Sequence, residues 1–170
     1  MVLRTVYDYG PAKHVRLDYA DGHKDMRWEP TGVRMADLPL WNADLLDQPR
    51  FAEDPVLFVE GEKCANRCVR FGFLAVSLPG GASQRDFGHA LEPLKGRDVV
   101  LLPDGDTPGE ELMFAVGEAL FLVGAARVRW LTMLPSDHDI ADYFDRDAEK
   151  DMRGARRLLQ WAIERADVIF

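Results

Sequence analysis

Two carboxylates separated by one glycine, Asp104-Gly105-Asp106, follow directly on the apolar run Val99-Val100-Leu101-Leu102-Pro103. The run reads as a short strand buried on both faces, ended by Pro103. Thr107-Pro108-Gly109-Glu110 then opens a helix, with Thr107 as N-cap, Pro108 at the first helical position and Glu110 as capping-box partner. Asp104 and Asp106 are thereby placed at the carboxyl end of a strand, where open α/β sheets bind their ligands. Two acids so close repel one another unless a cation neutralises them. Donors that are all oxygen suit a hard ion, Mg²⁺ or Mn²⁺, better than zinc. Alone, Asp-Gly-Asp reads equally well as a surface turn or a helix cap.

Other acids recur at the same kind of place. Glu60 follows the apolar run Val56-Leu57-Phe58-Val59, and Asp137, Asp139 and Asp142 follow the run that starts at Val128. In a parallel sheet these strand ends share one edge. A cluster of this kind holds one or two divalent ions that position phosphates and stabilise the oxygens of an in-line displacement. The competing reading is that each carboxylate caps the next helix, which suits Asp137 and Asp139.

The elements that must position these acids are legible from Pro55 onward as alternating strand and helix, the sign of a parallel sheet. Strands are expected at Val56 to Val59, Leu74 to Ser77, Val99 to Leu102 and Val128 to Leu131. Helices are expected at Glu62 to Phe71, from Ser83 through Phe87, Leu91 and Leu94, at Pro108 to Gly124, and at Asp147 to Ala166. The fold class is α/β, a four-stranded and mostly parallel sheet flanked by helices. Residues 1–54 differ in texture: alternating runs at Thr5 to Tyr9, His14 to Tyr19 and Lys24 to Trp28 are separated by turn residues and read as an antiparallel meander. The expected organisation is a small β-rich segment (1–54), the α/β domain (55–145) and a C-terminal amphipathic helix packing on it (146–170).

Composition narrows the function classes. The 170 residues are 47% hydrophobic, ample for one core, with no run near the roughly 18 apolar residues of a membrane span. The sequence starts without a cationic-then-apolar leader, so a cytoplasmic protein is expected, with no membrane partner. Cys64 and Cys68 lie four apart without a second pair, which favours reduced thiols over a zinc site. With 21 basic and 29 acidic residues the net charge is −8, which argues against a non-specific nucleic-acid coat but not against a nucleic-acid enzyme whose acids hold metal.

Three segments in order, Val59-Glu60-Gly61-Glu62-Lys63, Pro103-Asp104-Gly105-Asp106-Thr107-Pro108-Gly109 and His138-Asp139-Ile140-Ala141-Asp142-Tyr143-Phe144, resemble the successive motifs of a Toprim domain. The likeness covers about residues 55–145. It is strongest to the Toprim segments of DnaG-type and of phage or mobile-element primases and primase-helicases. The resemblance implies Mg²⁺-dependent nucleotidyl transfer in DNA replication (primer synthesis), acting on single-stranded DNA or RNA and nucleoside triphosphates, with a helicase or other replication protein as partner. It implies Glu60 as general acid/base or metal ligand, Asp104 and Asp106 as ligands of Mg²⁺ (or Mn²⁺), and Asp139 and Asp142 as aids to a second ion. The same family contains metal-dependent nucleases, and a non-catalytic accessory module is a third reading. Cys64 departs from the pattern, since many relatives carry an acid there. The sequence contains no zinc ribbon and no Gly-x-x-x-x-Gly-Lys-Ser/Thr loop.

Lys63 beside the acids reads as a phosphate ligand or a solvated lysine. Gly80 and Gly81, in Pro79-Gly80-Gly81-Ala82-Ser83, offer free amides before a helix start, a phosphate cradle or a simple turn. His138 reads as a polar loop histidine ahead of a metal ligand. Arg153, Arg156 and Arg157 read as a solvated helix face ahead of a nucleic-acid contact, and Trp28, Trp41, Trp130 and Trp161 read as core or interface ahead of base stacking by one of them, which the sequence does not select.

Overall fold

The structure is a computed structural model. It describes residues 2–8, 14–19, 24–25, 38–79, 86–132 and 139–170, the first three segments and 145–152 by backbone alone. Strands β1 (Val2–Asp8), β2 (His14–Tyr19) and β3 (Lys24–Asp25) form an antiparallel sheet in that order. The register pairs Thr5 with Leu17 and Leu17 with Asp25, as the two-residue alternation requires. The expected continuation of the third strand to Trp28 lies outside the described residues.

A second sheet is built from β4 (Val56–Val59), β5 (Ala75–Ser77), β6 (Asp98–Leu102), β7 (Arg127–Trp130) and β8 (Asp167–Val168), in the order β5-β4-β6-β7-β8. The first four are parallel, and β8 closes the edge antiparallel to β7. The sheet therefore has five strands where the sequence suggested four. The added strand is two residues long and pairs only through Arg129 with Val168 and Trp130 with Asp167. So short a strand leaves no hydrophobic period to read; its pairing is imposed by the chain's return from the last helix.

Helices cover both faces. Val56, Phe58, Val99, Leu101 and Val128 point to one side, where α2 (Thr107–Val123) buries Leu112, Val116 and Leu120. Leu57, Val59, Val100 and Leu102 point to the other, against α1 (Glu62–Arg70) and α3 (Ile140–Glu164). Every residue of β4 is buried, which explains its unbroken apolar run. On that second side Phe71 and Phe144 stack with ring centroids 4.0 Å apart.

Three local expectations are corrected. The N-cap of α2 is Asp106, not Thr107: the Gly109 N–H donates to Asp106 Oδ1 at 2.8 Å, and Thr107 is already helical. The segment from Phe87 to Leu94 is not an α-helix; it is turns followed by a 3₁₀ turn at Glu92–Leu94. Gly88 at φ 46 and Pro93 both interrupt the helix that the spacing of Phe87, Leu91 and Leu94 suggested. Leu91 and Leu94 are buried all the same. Finally, α3 starts at Ile140 rather than Asp147, so the boundary placed at 145/146 falls inside one helix.

The connection before β4 is tied to the second sheet. The Trp41 N–H donates to the Ser77 carbonyl at 2.9 Å and the Trp41 indole donates to Asn66 Oδ1 at 2.8 Å. Leu40, Leu46 and Phe51 join the core on the α2 side. Among the described residues no helix is long and apolar enough to cross a membrane.

Candidate active site

Parallel pairing sets the geometry. Val59 faces Leu102 across β4 and β6, so Glu60 and Asp104, one and two residues beyond, leave adjacent central strands at the same edge. The Asp104 backbone N–H donates to Glu60 Oε1 at 3.0 Å and locks the two turns together. Gly109 in the first turn of α2 completes the seat. A Cβ on that residue would stand 1.8 Å from Glu60 Oε1 and 2.9 Å from its Cδ, so the carboxylate occupies the space of the missing side chain. In the sequence Gly109 is the last residue of the Asp-Gly-Asp segment, with no role of its own assigned to it. The available signal was a glycine at a helical position, where it is disfavoured by about 1 kcal/mol relative to alanine.

The third contribution comes from the start of α3. Asp139 Oδ1 accepts from the Asp142 N–H at 2.7 Å, and Asp142 Oδ2 accepts from the Asp139 N–H at 3.4 Å, a reciprocal capping box. Asp139 Oδ2 meets Lys63 Nζ at 3.3 Å. Asp139 thus caps a helix with one oxygen and meets Lys63 with the other.

The electrostatics show how crowded these acids are. Burial, and then the carboxylates of Glu60, Asp139, Asp106 and Asp142, push Asp104 up to about 7. Burial also raises Glu60; the Asp104 amide opposes the rise, and Asp106 and Asp139 add to it. For Lys63 burial works against the charge, but the attraction and hydrogen bond of Asp139 outweigh it and the ammonium is held above its ordinary value. Burial foremost, with Asp139 and Asp104, drives the Cys64 thiol far up, so it stays protonated and is no nucleophile.

The donors that converge here are carboxylate oxygens, with Lys63 as a nearby cation, and that chemistry fits a hard divalent ion better than a soft one. Among the described residues no three metal-binding side chains already surround one point. Asp106 and Asp139 nevertheless lie near enough to Glu60 and Asp104 to raise both, and Asp106 is exposed. Gly80, Gly81, Asp137 and His138 lie outside the described residues.

The cap and the charge of Asp139 are separable. Asp139→Asn is expected to leave stability within about 0.5 kcal/mol, because Asn caps as well as Asp, whereas Asp139→Ala should lose about 1 kcal/mol. Urea denaturation reads both. Equal losses in the two variants would mean that the ion pair with Lys63, not the cap, is what Asp139 contributes.

The arrangement can be set beside known structures. The catalytic core of DnaG superposes with a TM-score of 0.60 at 17% identity, over 91% of this chain and 49% of that one. The zinc-binding and RNA polymerase domains of the Aquifex aeolicus primase give 0.58 at 17%, over 96% of this chain and 36% of that one. The fold is that of part of a primase catalytic core. A chain from the complex of bacteriophage T7 lagging-strand DNA polymerase with primase domains bound to an RNA/DNA hybrid and dTTP gives 0.51 at 19%, over 96% and 76%. At these identities the likeness is one of fold, and the chain spans about a third to half of the first two primase chains. No protein-family model and no curated protein matches the chain.

Proposed function

We propose that this primase-like fold carries out nucleotidyl transfer in DNA replication, joining nucleoside triphosphates into a primer on a single-stranded template. The observation that carries the reading is the convergence of Glu60, Asp104 and Asp139 from three loops on one sheet edge, with burial first and the acidic neighbours second raising Asp104 to about 7. A structural cap needs no such crowding; a site that binds cations and phosphates does.

Asp104 and Asp106 would hold Mg²⁺ or Mn²⁺, with Asp139 and Asp142 assisting at a second position. A bound divalent ion supplies neutralising charge for the triphosphate and fixes the attacking and leaving oxygens in line. Glu60 has the part of general base: its carboxylate is fixed by the Asp104 amide, and its raised pKa suits accepting a proton from the primer hydroxyl. Lys63 would exchange its contact with Asp139 for a triphosphate oxygen. Gly80 and Gly81 are assigned the remaining phosphate contacts on sequence grounds alone. A helicase or another replication protein would be the partner, as the resemblance to primase and primase-helicase segments implies.

The test is a denaturing gel of end-labelled single-stranded DNA with nucleoside triphosphates and Mg²⁺ or Mn²⁺, with labelled triphosphate in a parallel lane. New strands in the wild type that are absent in Asp104→Asn are the expected result. Shortened template that is likewise absent in the variant would move the assignment to a metal-dependent nuclease. A gel unchanged by either protein would leave an accessory module.

A further inference from the structure

From the outer face of α3 we infer a second contact for the polynucleotide, a single-strand track remote from the acidic edge. Arg153, Arg157, Trp161 and Arg165 recur every four residues and form one row along the exposed side of the helix. Ala155, Leu159, Ala162 and Ile163 anchor the opposite side in the core. The row is about 18 Å long at 1.5 Å per residue.

Three features distinguish it from an ordinary solvated face. Residues 153–165 hold four arginines against one glutamate, in a chain whose net charge is −8. Arg153 and Arg157 have no ion pair among the described residues, and Arg165 has only a 3.9 Å contact with exposed Glu164. At the centre of these cations the Trp161 ring is 53% exposed, with the Arg165 guanidinium 4.4 Å from its centroid and Leu158 exposed beside it. Exposing an indole and an isobutyl group in water forgoes apolar burial, which a stacked base would recover. Alternating cations and an aromatic plane are what a flexible single strand requires: charges for successive phosphates and a ring for a base, with no sequence preference. An acidic protein segment would use the arginines but has less use for the ring.

The helix axis gives the track its place. α3 is capped at the acidic edge by Asp139, and Arg153 lies about 21 Å further along it. A strand held on the row is therefore the part of the template outside the reaction site. The inference takes from the proposed function only its polynucleotide, so binding is measured without triphosphate or divalent ion, where the chemistry is silent.

Anisotropy of a labelled oligothymidine, titrated in chelator over a series of salt concentrations, is the experiment. Three arginines predict a slope of log K against log salt of about −2 for a single strand, reduced by about 1.4 in Arg153→Gln/Arg157→Gln. Trp161→Ala should weaken binding about tenfold with the slope unchanged. All three changes are on the surface, so folding is retained. Because the titration contains neither triphosphate nor divalent ion, its outcome is separate from the failure or success of the catalytic reading. Wild-type affinity and slope in the arginine variant would overturn the proposal. So would equal binding of polyglutamate with no effect of Trp161→Ala, which would assign the face to an acidic protein.

Discussion

Gly109→Ala is expected to abolish primer synthesis while leaving the sheet folded. The added methyl group would lie 1.8 Å from Glu60 Oε1, far inside contact distance, and 3.0 Å from Asp106 Oδ1. Either the Glu60 carboxylate rotates away or the first turn of α2 shifts. Both outcomes break the hydrogen bond from the Asp104 amide and displace the proposed base. Loss of a positioned base lowers the rate by about 10²- to 10⁴-fold. The stability change is smaller, because overpacking costs about 1–3 kcal/mol and alanine returns about 1 kcal/mol of helix propensity. Gly61→Ala is the matched control: an added methyl group there meets nothing within 4 Å, so activity should persist. Comparable activity in Gly109→Ala and Gly61→Ala would remove Glu60 from the chemistry.

Asp104→Asn should be inactive and, near neutral pH without metal, more stable than the wild type. The folded protein holds the Asp104 proton more tightly than the unfolded chain, since the pKa rises from 3.8 to about 7 on folding. The stability linked to that proton is fully present below the unfolded value and is lost as the pH rises through about 7. The wild type in chelator should therefore weaken between about pH 4 and pH 8, by about 1–2 kcal/mol once solvent screening of this half-buried group is allowed for. Asp104→Asn removes the ionisation and should flatten that part of the curve. Urea midpoints across the pH range measure it. Identical pH dependence in the two proteins would mean that Asp104 is not the strained group.

The parts of the fold that were legible in the sequence are those whose residues face the core on a strict period. β4 lies where its four apolar residues placed it, and α2 ends at Gly124, whose φ of 90 is the left-handed cap expected of a terminal glycine. α3 starts seven residues before the expected Asp147, at the Asp139 cap, and Ile140, Ala141 and Phe144 carry the helical spacing of its buried face. At the site, the acids themselves were visible as strand-end carboxylates. Their connections were not. The Glu60–Asp104 bond depends on the register of two strands 44 residues apart, and the fit of Glu60 against Gly109 depends on how α2 leaves β6. Neither leaves a local pattern. The arginine row on α3 was seen only in part: the position of Trp161 within it follows from which face Leu159 and Ile163 bury.

Thermal unfolding at pH 7.5 in chelator and then in rising Mg²⁺ tests most directly whether the crowded carboxylates form a divalent-cation site. A ligand bound by the folded state alone raises its melting temperature by mass action, and relief of repulsion at Asp104 adds to the gain. The wild type should gain stability with Mg²⁺ toward a saturating limit, and Asp104→Asn should gain little from the same titration. A response of the same size in both proteins, or none in the wild type, would contradict a metal site built on Asp104.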